Sequence, residues 1–277
     1  MNKVSVIQTK FSLFNKNLNP EIWQAGRNGL DNALKTLLDE ERLRDRCDIF
    51  FNYQLPLIDI AVAKGFKIIH QCLHFDDLPI WVMDLIEEAS IKYEWFRPRA
   101  FSFDDDLNLY GLIKEDIIDI CETSEEQDVL CCAGIRLDDD DLINIDYFEK
   151  LERYLVESFA GFCVSFPKGY AGVYRGSEFT EFYDFYESKI ALGLAQVFVY
   201  DVINKKFLND YLMPPGAHGT VDNRVPTIID ATNEPVYLRT FHENNDFMLN
   251  RSNEQRRNYL ESVLKTRVQN IDSFYRK

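Results

Sequence analysis

Apolar and polar residues recur along the chain with two different periods, which predict strands in some segments and helices in others. Helical spacing of apolar residues occurs at residues 21–38, 57–63, 79–93 and 107–121. Strand-like runs stand between and after them, at residues 3–11, 48–53, 66–73, 94–103, 129–137 and 195–202. Because strands that alternate with helices form parallel βαβ units, the pattern predicts an α/β fold with a mostly parallel central sheet.

The second half of the chain continues with shorter elements. Residues 147–155 predict a helix, and residues 162–166 and 172–175 predict two strands joined by a hairpin-like turn at residues 167–169. Residues 236–242 predict a last short strand. The pattern shows no internal repeat that would divide this part into separate units.

Loop and helix signals mark the end of the chain. Residues 213–219 are rich in Pro and Gly, so we predict a loop there that lies over a site. From Ser252 onward, a Ser-x-x-Gln cap and spaced apolar residues predict an amphipathic helix. We therefore place residues 1–250 in one domain and residues 251–277 in a C-terminal amphipathic helix.

The composition indicates a folded chain with excess negative charge. Its 277 residues are 46% hydrophobic, enough for a large core, and its net charge of −15 argues against a nucleic-acid surface. No run approaches the roughly twenty apolar residues of a membrane span, and the start lacks a signal peptide's apolar region. We expect a cytoplasmic protein without direct membrane insertion, any contact with the inner membrane passing through a partner. The six cysteines lack metal-binding spacing, so free thiols are expected.

Four consecutive carboxylates, Asp138 to Asp141, follow the strand-like run 129–137. On an extended chain Asp138 and Asp140 would point one way, and the two other acids the opposite way. Carboxylates this close raise each other's pKa or need a cation between them, and oxygen ligands at a strand end suit Mg²⁺ or Mn²⁺. Two interpretations of the run stay open, a metal site and a solvated acidic loop, because most charge runs are solvated.

A second acidic run, Asp104 to Asp106, precedes the predicted helix 107–121. Carboxylates are favourable at a helix N-terminus, so this is the preferred interpretation of that run. The helix after the first run has its own predicted cap in Asp146, with Glu149 three residues on. This leaves Asp138 to Asp141 without a capping role and makes them the better candidates for chemistry.

These residues carry a resemblance to a known family. The segment 136–142, followed by residues 146–148 and a helix, resembles the Asp-x-Asp segment of GT-A glycosyltransferases, most like the bacterial rhamnosyl transferases. Residues 9–11 resemble the Thr-Arg-Phe-like opening strand of that family, with Lys10 in place of Arg. Residues 237–245 resemble its Trp-Leu and His-Gly-x-Asn-like closing segment, with Tyr in place of Trp and Glu243 in place of a small residue.

The resemblance implies a GT-A-like, Rossmann-type α/β/α domain that binds a nucleoside diphosphate sugar near the carboxyl ends of the first strands. By analogy, Asp138 and Asp140 flank the donor ribose and a Mn²⁺ or Mg²⁺ ion, with Asp140 the direct ligand and His242 the second. The implied catalytic acids are Asp138, Asp140 and Asp141. The implied donor-binding residues are Thr9, Lys10, Arg136, Asp138 and His218. Arg136 is expected to pair with the acids. His218 is the alternative to His242 as the histidine ligand of the metal.

The predicted function is metal-dependent transfer of a sugar from a nucleoside diphosphate sugar to a glycan or lipid-linked glycan acceptor, in bacterial surface polysaccharide synthesis. An inverting enzyme needs a general base, usually a carboxylate. The candidates are Glu178, Glu181, Asp184 and Glu187, which their spacing does not rank. Glu181 is the one that we name. Two alternatives stay open, a non-catalytic partner in polysaccharide assembly and a divalent-metal phosphotransferase or hydrolase. The donor sugar, the nucleotide and the oligomeric state are not determined by the sequence.

Overall fold

A computed structural model describes residues 2–17, 30–122, 128–232, 234–242 and 253–275. The strands within these residues are β1 Asn2–Phe11, β2 Ile68–Phe75, β3 Phe96–Phe101, β4 Val129–Arg136, β5 Leu142–Ile143, β6 Cys163–Ser165, β7 Lys168–Arg175, β8 Glu178–Tyr186, β9 Ala195–Asp201, β10 Lys206–Phe207, β11 Thr227–Ile229, β12 Tyr237–Phe241 and β13 Arg267–Val268. The α-helices are α1 Leu30–Leu37, α2 Glu40–Ile49, α3 Leu55–Ala63, α4 Ile80–Lys92, α5 Leu109–Glu122, α6 Ile145–Leu151 and α7 Asn253–Val263. A π-helical turn, Phe50–Gln54, joins α2 to α3, and 3₁₀ turns occur at Glu157–Phe159 and His218–Asn223.

The larger sheet has eight strands and forms the centre of the fold. Its order is β11-β6-β9-β4-β1-β2-β3, with β10 paired to β9. Strands β4, β1, β2 and β3 run parallel, and β9 runs antiparallel to β4. Every residue of β2 is buried, as expected for a parallel strand covered on both faces. The predicted α/β fold with a mostly parallel central sheet is therefore confirmed.

A second sheet of five strands, in the order β13-β8-β7-β12-β5, lies beside the acidic run. Its edge strand β5 follows directly after Asp141 and pairs with β12, where Tyr237 lies opposite Ile143. Because β12 ends one residue before His242, this pairing carries the histidine toward the acids. The C-terminal strand β13 pairs with β8 and extends the same sheet.

The strand predicted at residues 48–53 is wrong, because this segment is helical from α2 through the π-helical turn into α3. Burial follows a helical period, with Ile49, Phe50, Gln54 and Leu57 buried and Asn52 exposed. A short apolar run does not distinguish a strand from a buried helix segment by periodicity alone. The consequence is that the whole run 40–63 packs as one helical arm against the sheet.

Three smaller predictions are also wrong. Strands β6 and β7 belong to different sheets, so the turn at residues 167–169 is a crossing between sheets and no hairpin forms. Helix α6 is capped by Asn144, whose side chain accepts a hydrogen bond from the Tyr147 amide at 3.3 Å, and not by Asp146. Helix α5 begins at Leu109, without an acidic first turn, so the run 104–106 does not cap it.

The predicted helices near the two ends of the chain are confirmed in part, and the prediction for the cysteines is confirmed. Of the predicted helix 21–38, residues 30–37 form α1, and residues 21–29 lie outside the described residues. The C-terminal helix is shorter than predicted and ends at Val263, before β13. All six cysteines are free thiols, as predicted.

Among the residues that the structure describes, none of the helices has the length and apolar content needed to cross a membrane.

Gly134 of β4 allows close approach of Leu212, the residue before the Pro/Gly loop 213–219. A Cβ atom at Gly134 would lie 1.8 Å from the Leu212 carbonyl oxygen, so Gly134→Ala forces strand and loop apart. We expect a loss of about 1–3 kcal/mol in the free energy of unfolding, measured by urea denaturation. Gly219→Ala, whose Cβ would meet no atom within 4 Å, is the matched control and should change stability by less than about 0.5 kcal/mol. Equal stabilities for the two variants would contradict this packing.

Candidate active site

The four acids occupy a turn at the carboxyl end of β4. The Asp141 amide donates to the Asp138 carbonyl at 3.3 Å, which ends the extended chain. Gln54, fully buried in the π-helical turn, donates from Nε2 to the carbonyls of Asp138 and Asp141 at 2.8 and 2.6 Å. The acids therefore do not alternate as they would on a strand. Asp138 is exposed, while Asp139, Asp140 and Asp141 are buried.

Arg46 of α2 lies between two of the buried acids. One terminal nitrogen of its guanidinium pairs with Asp139, and the other lies 3.1 Å from Oδ2 of Asp140. The side chains of all three residues are at most 8% exposed. A planar guanidinium can serve two carboxylates in this way because its donors form a fixed fork.

His242 completes the group from the second sheet. Its Nε2 donates to Oδ2 of Asp140 at 3.2 Å, and its Nδ1 lies 3.8 Å from Oδ2 of Asp45. Two residues earlier, the Thr240 amide donates to Oδ1 of Asp141 at 2.9 Å. Residues of strand β12 and the residue after it therefore contact two of the acids, although β12 and β4 belong to different sheets.

The two neighbouring acids, Asp140 and Asp141, have opposite pKa shifts. Burial raises the pKa of Asp140, but Arg46 and the hydrogen bond from His242 outweigh burial and hold that pKa well below its usual range. Burial, followed by the charges of Asp140 and Asp138, raises the pKa of Asp141 well above its usual value. The arrangement thus holds Asp140 as a carboxylate and favours the protonated form of Asp141.

We expect Asp141→Asn to cost less than about 1 kcal/mol in the free energy of unfolding at neutral pH, because Asn keeps the acceptor for Thr240 and removes a carboxylate that burial disfavours. An acid with a raised folded-state pKa costs stability above that pKa, and the cost vanishes as pH falls toward the ordinary carboxyl pKa. The free energy of unfolding of the variant, relative to that of the natural protein, should therefore increase as pH rises. Denaturation at a series of pH values measures this difference.

Asp140→Asn is the matched comparison for that experiment. It leaves Arg46 facing a neutral amide, and we expect a loss of about 1.5–3 kcal/mol at neutral pH. The lowered pKa means that the contribution of Asp140 is present above the ordinary carboxyl pKa and disappears as pH falls below it. If Asp141→Asn lost more stability than Asp140→Asn at neutral pH, our assignment of charge within the pair would be wrong.

A second, more open group stands at the ends of β1 and β4. Gln8 and Arg136 are register partners on these parallel strands, and Lys10 and Asp138 each come two residues later. Lys10 and Asp138 are exposed, and Arg136 donates to the Pro214 carbonyl of the Pro/Gly loop. Desolvation and the Arg136 charge lower the pKa of Lys10, whereas Asp138 raises it. Two cations and one exposed carboxylate therefore share one edge of the sheet.

Two of the other residues implied in donor binding make contacts inside the protein. The Thr9 hydroxyl is fully buried, 2.8 Å from Nε2 of His70. His218 begins a 3₁₀ turn, and its Nδ1 donates to the Lys189 carbonyl at 2.5 Å. Neither contact joins them to the group formed by Lys10, Arg136 and Asp138.

The four candidate bases are separated by their surroundings on and after β8. Glu181 accepts a hydrogen bond from the Tyr183 hydroxyl at 2.5 Å and lies 3.9 Å from Arg267 of β13. Glu187 pairs with Arg239 of β12 at 3.0 Å. Asp141 contributes to the raised pKa of Arg239, so Glu187 is the one of the four that the structure links to the acidic run.

The comparison with families of known proteins agrees with this geometry. The family model described as "Putative rhamnosyl transferase" matches residues 7–254 of the 277. The chain belongs to this family. It is therefore a glycosyltransferase, and the resemblance seen in the sequence is confirmed. None of the curated proteins matches the chain.

In this glycosyltransferase, the sequence patterns did not point to Arg46 and Gln54. Both lie in the helical arm, which was predicted in part as a strand. Arg42 and Arg46 are four residues apart beside apolar Leu43, and all three are buried. A helical assignment would have placed both arginines on the inner face, where a buried cation requires an acidic partner.

The structure also shows how far the predicted ligands could hold a divalent ion. Within the described residues, no group of three or more His, Cys, Asp or Glu side chains is arranged to hold a metal. Asp140 and His242 lie together, but the Arg46 guanidinium already contacts that carboxylate. Asp138 is the predicted ligand that faces solvent. A metal therefore does not fit between Asp140 and His242 with Arg46 in place, and Asp138 is the predicted ligand that stays accessible.

Proposed function

We propose that the chain transfers a sugar, rhamnose in the first instance, from a nucleoside diphosphate sugar to a hydroxyl of a glycan or lipid-linked glycan. The observation that carries the proposal is the shared position of Lys10, Arg136 and Asp138 at the carboxyl ends of adjacent parallel strands. In open α/β sheets, ligands bind in the crevice outside these strand ends. The family match supports the choice of sugar transfer over other phosphate chemistry.

The chemistry requires positive charge beside the donor diphosphate. As the bond between the anomeric carbon and the diphosphate breaks, negative charge develops on the departing oxygens. Lys10 and Arg136 supply positive charge beside the departing diphosphate oxygens. Because these groups are already in place, they need no reorganisation during the reaction. The contact of Arg136 with the Pro214 carbonyl holds the Pro/Gly loop beside this position, where it can limit the access of water.

The metal predicted from the sequence enters the proposal through Asp138. Mg²⁺ or Mn²⁺ is commonly held by one or two carboxylates and by the substrate phosphates, which suits one exposed acid beside a diphosphate. When bound, such an ion supplies Lewis-acid stabilisation of the leaving group. Bacterial surface polysaccharide synthesis is the proposed setting, consistent with a glycan acceptor.

A carboxylate is needed for the acceptor if the reaction inverts configuration. Its role is to take the proton of the attacking hydroxyl. Glu181 stays the sequence-based candidate, and its hydrogen bond from Tyr183 orients it on β8. Glu187 is the structural competitor, because its partner Arg239 is electrostatically coupled to Asp141.

The proposal is tested by donor binding and by product analysis. Nucleoside diphosphates are added to the full chain with and without Mn²⁺, and the midpoint of thermal unfolding is measured; a bound nucleotide raises it by mass action. Nucleoside diphosphate rhamnose is then incubated with glycan acceptors, and the products are analysed. Transfer to a glycan supports the proposal. Hydrolysis alone favours the hydrolase alternative, and the absence of any nucleotide effect favours a non-catalytic partner.

A further inference from the structure

We infer that Arg46 is the resident cation of the acidic turn and its positioning residue. It occupies the place that a divalent ion would take between Asp139 and Asp140, beside the bond of Asp140 with His242. A divalent ion is then excluded from the position beside the histidine. This inference goes beyond the proposed function, because it concerns which cation the buried acids hold and does not depend on sugar transfer.

The contacts of Arg46 define the cation position. Its two terminal nitrogens serve different carboxylates, one on Asp139 and one on Asp140, and Asp140 is also bonded to His242. An ion bridging these two carboxylates would have to displace the guanidinium. Two adjacent acids without a counter-charge are unstable in a buried position, so one cation is required, and this helix provides it.

Charge and geometry favour arginine in this position over an exchangeable ion. Arginine remains protonated at any accessible pH, and its planar fork can bind two carboxylates at once. The neighbouring Arg42, also buried, adds to the positive charge that acts on Asp140. The position is therefore permanently positive, and a divalent ion gains little from entering it.

The same arm also fixes the backbone of the turn. Arg46 holds the side chains of Asp139 and Asp140, and Gln54, two helical turns on, holds the carbonyls of Asp138 and Asp141. These contacts tie the turn to the arm at both its side chains and its backbone. The result is that Asp138 alone among the four acids is exposed to solvent.

Removing Arg46 should convert the pocket into a metal site. Asp139 and Asp140 would then lose the guanidinium that both of them contact, and Asp140 is already bonded to His242. Two carboxylates and a neighbouring imidazole form a donor set that suits Mn²⁺ better than Mg²⁺ once the side chains adjust around the ion. Nδ1 of His242 has no hydrogen-bond partner among the described residues, and Asp45 lies 3.8 Å from it. The imidazole can therefore turn or change its tautomer without breaking another bond.

The test measures binding of Mn²⁺ alone to the full chain, by calorimetry and by the electron paramagnetic resonance of bound Mn²⁺. The natural protein and His242→Ala should bind Mn²⁺ with the same affinity within about twofold, whereas Arg46→Met should bind it about tenfold more tightly or better. Adding His242→Ala to Arg46→Met should remove that gain. Arg46→Lys, which keeps one charge but cannot bridge two carboxylates, should give a smaller gain than Arg46→Met.

One result would overturn the inference without any Arg46 variant. If His242→Ala weakens Mn²⁺ binding by about tenfold or more in the otherwise natural chain, the histidine is a ligand and Arg46 is not the resident cation. This comparison decides the question even if Arg46→Met does not fold. A folded Arg46→Met variant with unchanged Mn²⁺ affinity would also overturn it. Because no nucleotide is present, failure here is separate from failure of the proposed transfer reaction.

Discussion

Arg46→Met lowers the free energy of unfolding by about 3–5 kcal/mol in the expected outcome, because removing one partner of a buried ion pair leaves the other charge uncompensated. The loss should lie in the upper part of this range, since two buried carboxylates, Asp139 and Asp140, both pair with this guanidinium. Part of this cost can be avoided by protonating one of the acids. The loss should therefore shrink as the pH is lowered toward the ordinary carboxyl pKa, where protonation becomes easy.

Arg44→Met is the matched control for that experiment. Arg44 lies on the same helix and pairs with Glu40 at 2.6 Å, but both side chains are more than half exposed. Exposed ion pairs contribute about 0–1 kcal/mol, so this variant should stay close to the natural protein. Chemical denaturation of both variants at neutral and acidic pH gives the comparison. Equal losses from Arg44→Met and Arg46→Met would mean that burial of the Arg46 pair does not decide its energy.

Asp138→Asn is expected to lower kcat/KM for sugar transfer by about 100-fold, equivalent to about 2.7 kcal/mol of transition-state stabilisation. The substitution keeps the shape of the side chain and removes its charge. Asp138 is the exposed acid beside Lys10 and Arg136, so the loss of its charge removes the proposed ligand for the metal on the donor diphosphate. Stability should change little, since the side chain is in solvent. Initial rates with donor and acceptor varied separately measure the effect.

Asp104→Asn is the control for Asp138→Asn. Asp104 belongs to the other acidic run, is 84% exposed and pairs with Lys16 at 3.5 Å. Its replacement should leave kcat/KM unchanged within about twofold, as expected for a solvated surface pair. If both variants lose activity equally, the choice between the two acidic runs was made on the wrong grounds. A fully active Asp138→Asn would remove this residue from the proposed mechanism.

The sequence by itself determined the strands of the parallel sheet and the position of the acidic run at the end of β4. Buried parallel strands are nearly continuous apolar runs, so β1, β2 and β4 are visible as local patterns. The acidic run is equally local, because its four members are consecutive. The family resemblance rested on these same local features and was confirmed over residues 7–254.

The helical arm shows where local patterns stop being informative. The run Ile49-Phe50-Phe51 is apolar and short, and it suits a strand and a buried helix equally well. Tertiary packing stabilises the helix, because Leu43, Phe50 and Ile58 are buried in one continuous core cluster when the arm packs on the sheet. The strand predicted at residues 48–53 left the helix before it unrecognised, so the buried face that carries Arg46 was not identified.

Only the tertiary structure decided which acids are buried and which cation they hold. Arg46 and Asp139 are 93 residues apart along the chain, and His242 and Asp140 are 102 apart. Such pairs form because a helix and a strand from distant segments pack around one turn, and no spacing in the sequence encodes that packing. The sequence therefore specified a run of four carboxylates as a candidate site, while the packing of α2 and β12 buried Asp139, Asp140 and Asp141 and left Asp138 exposed.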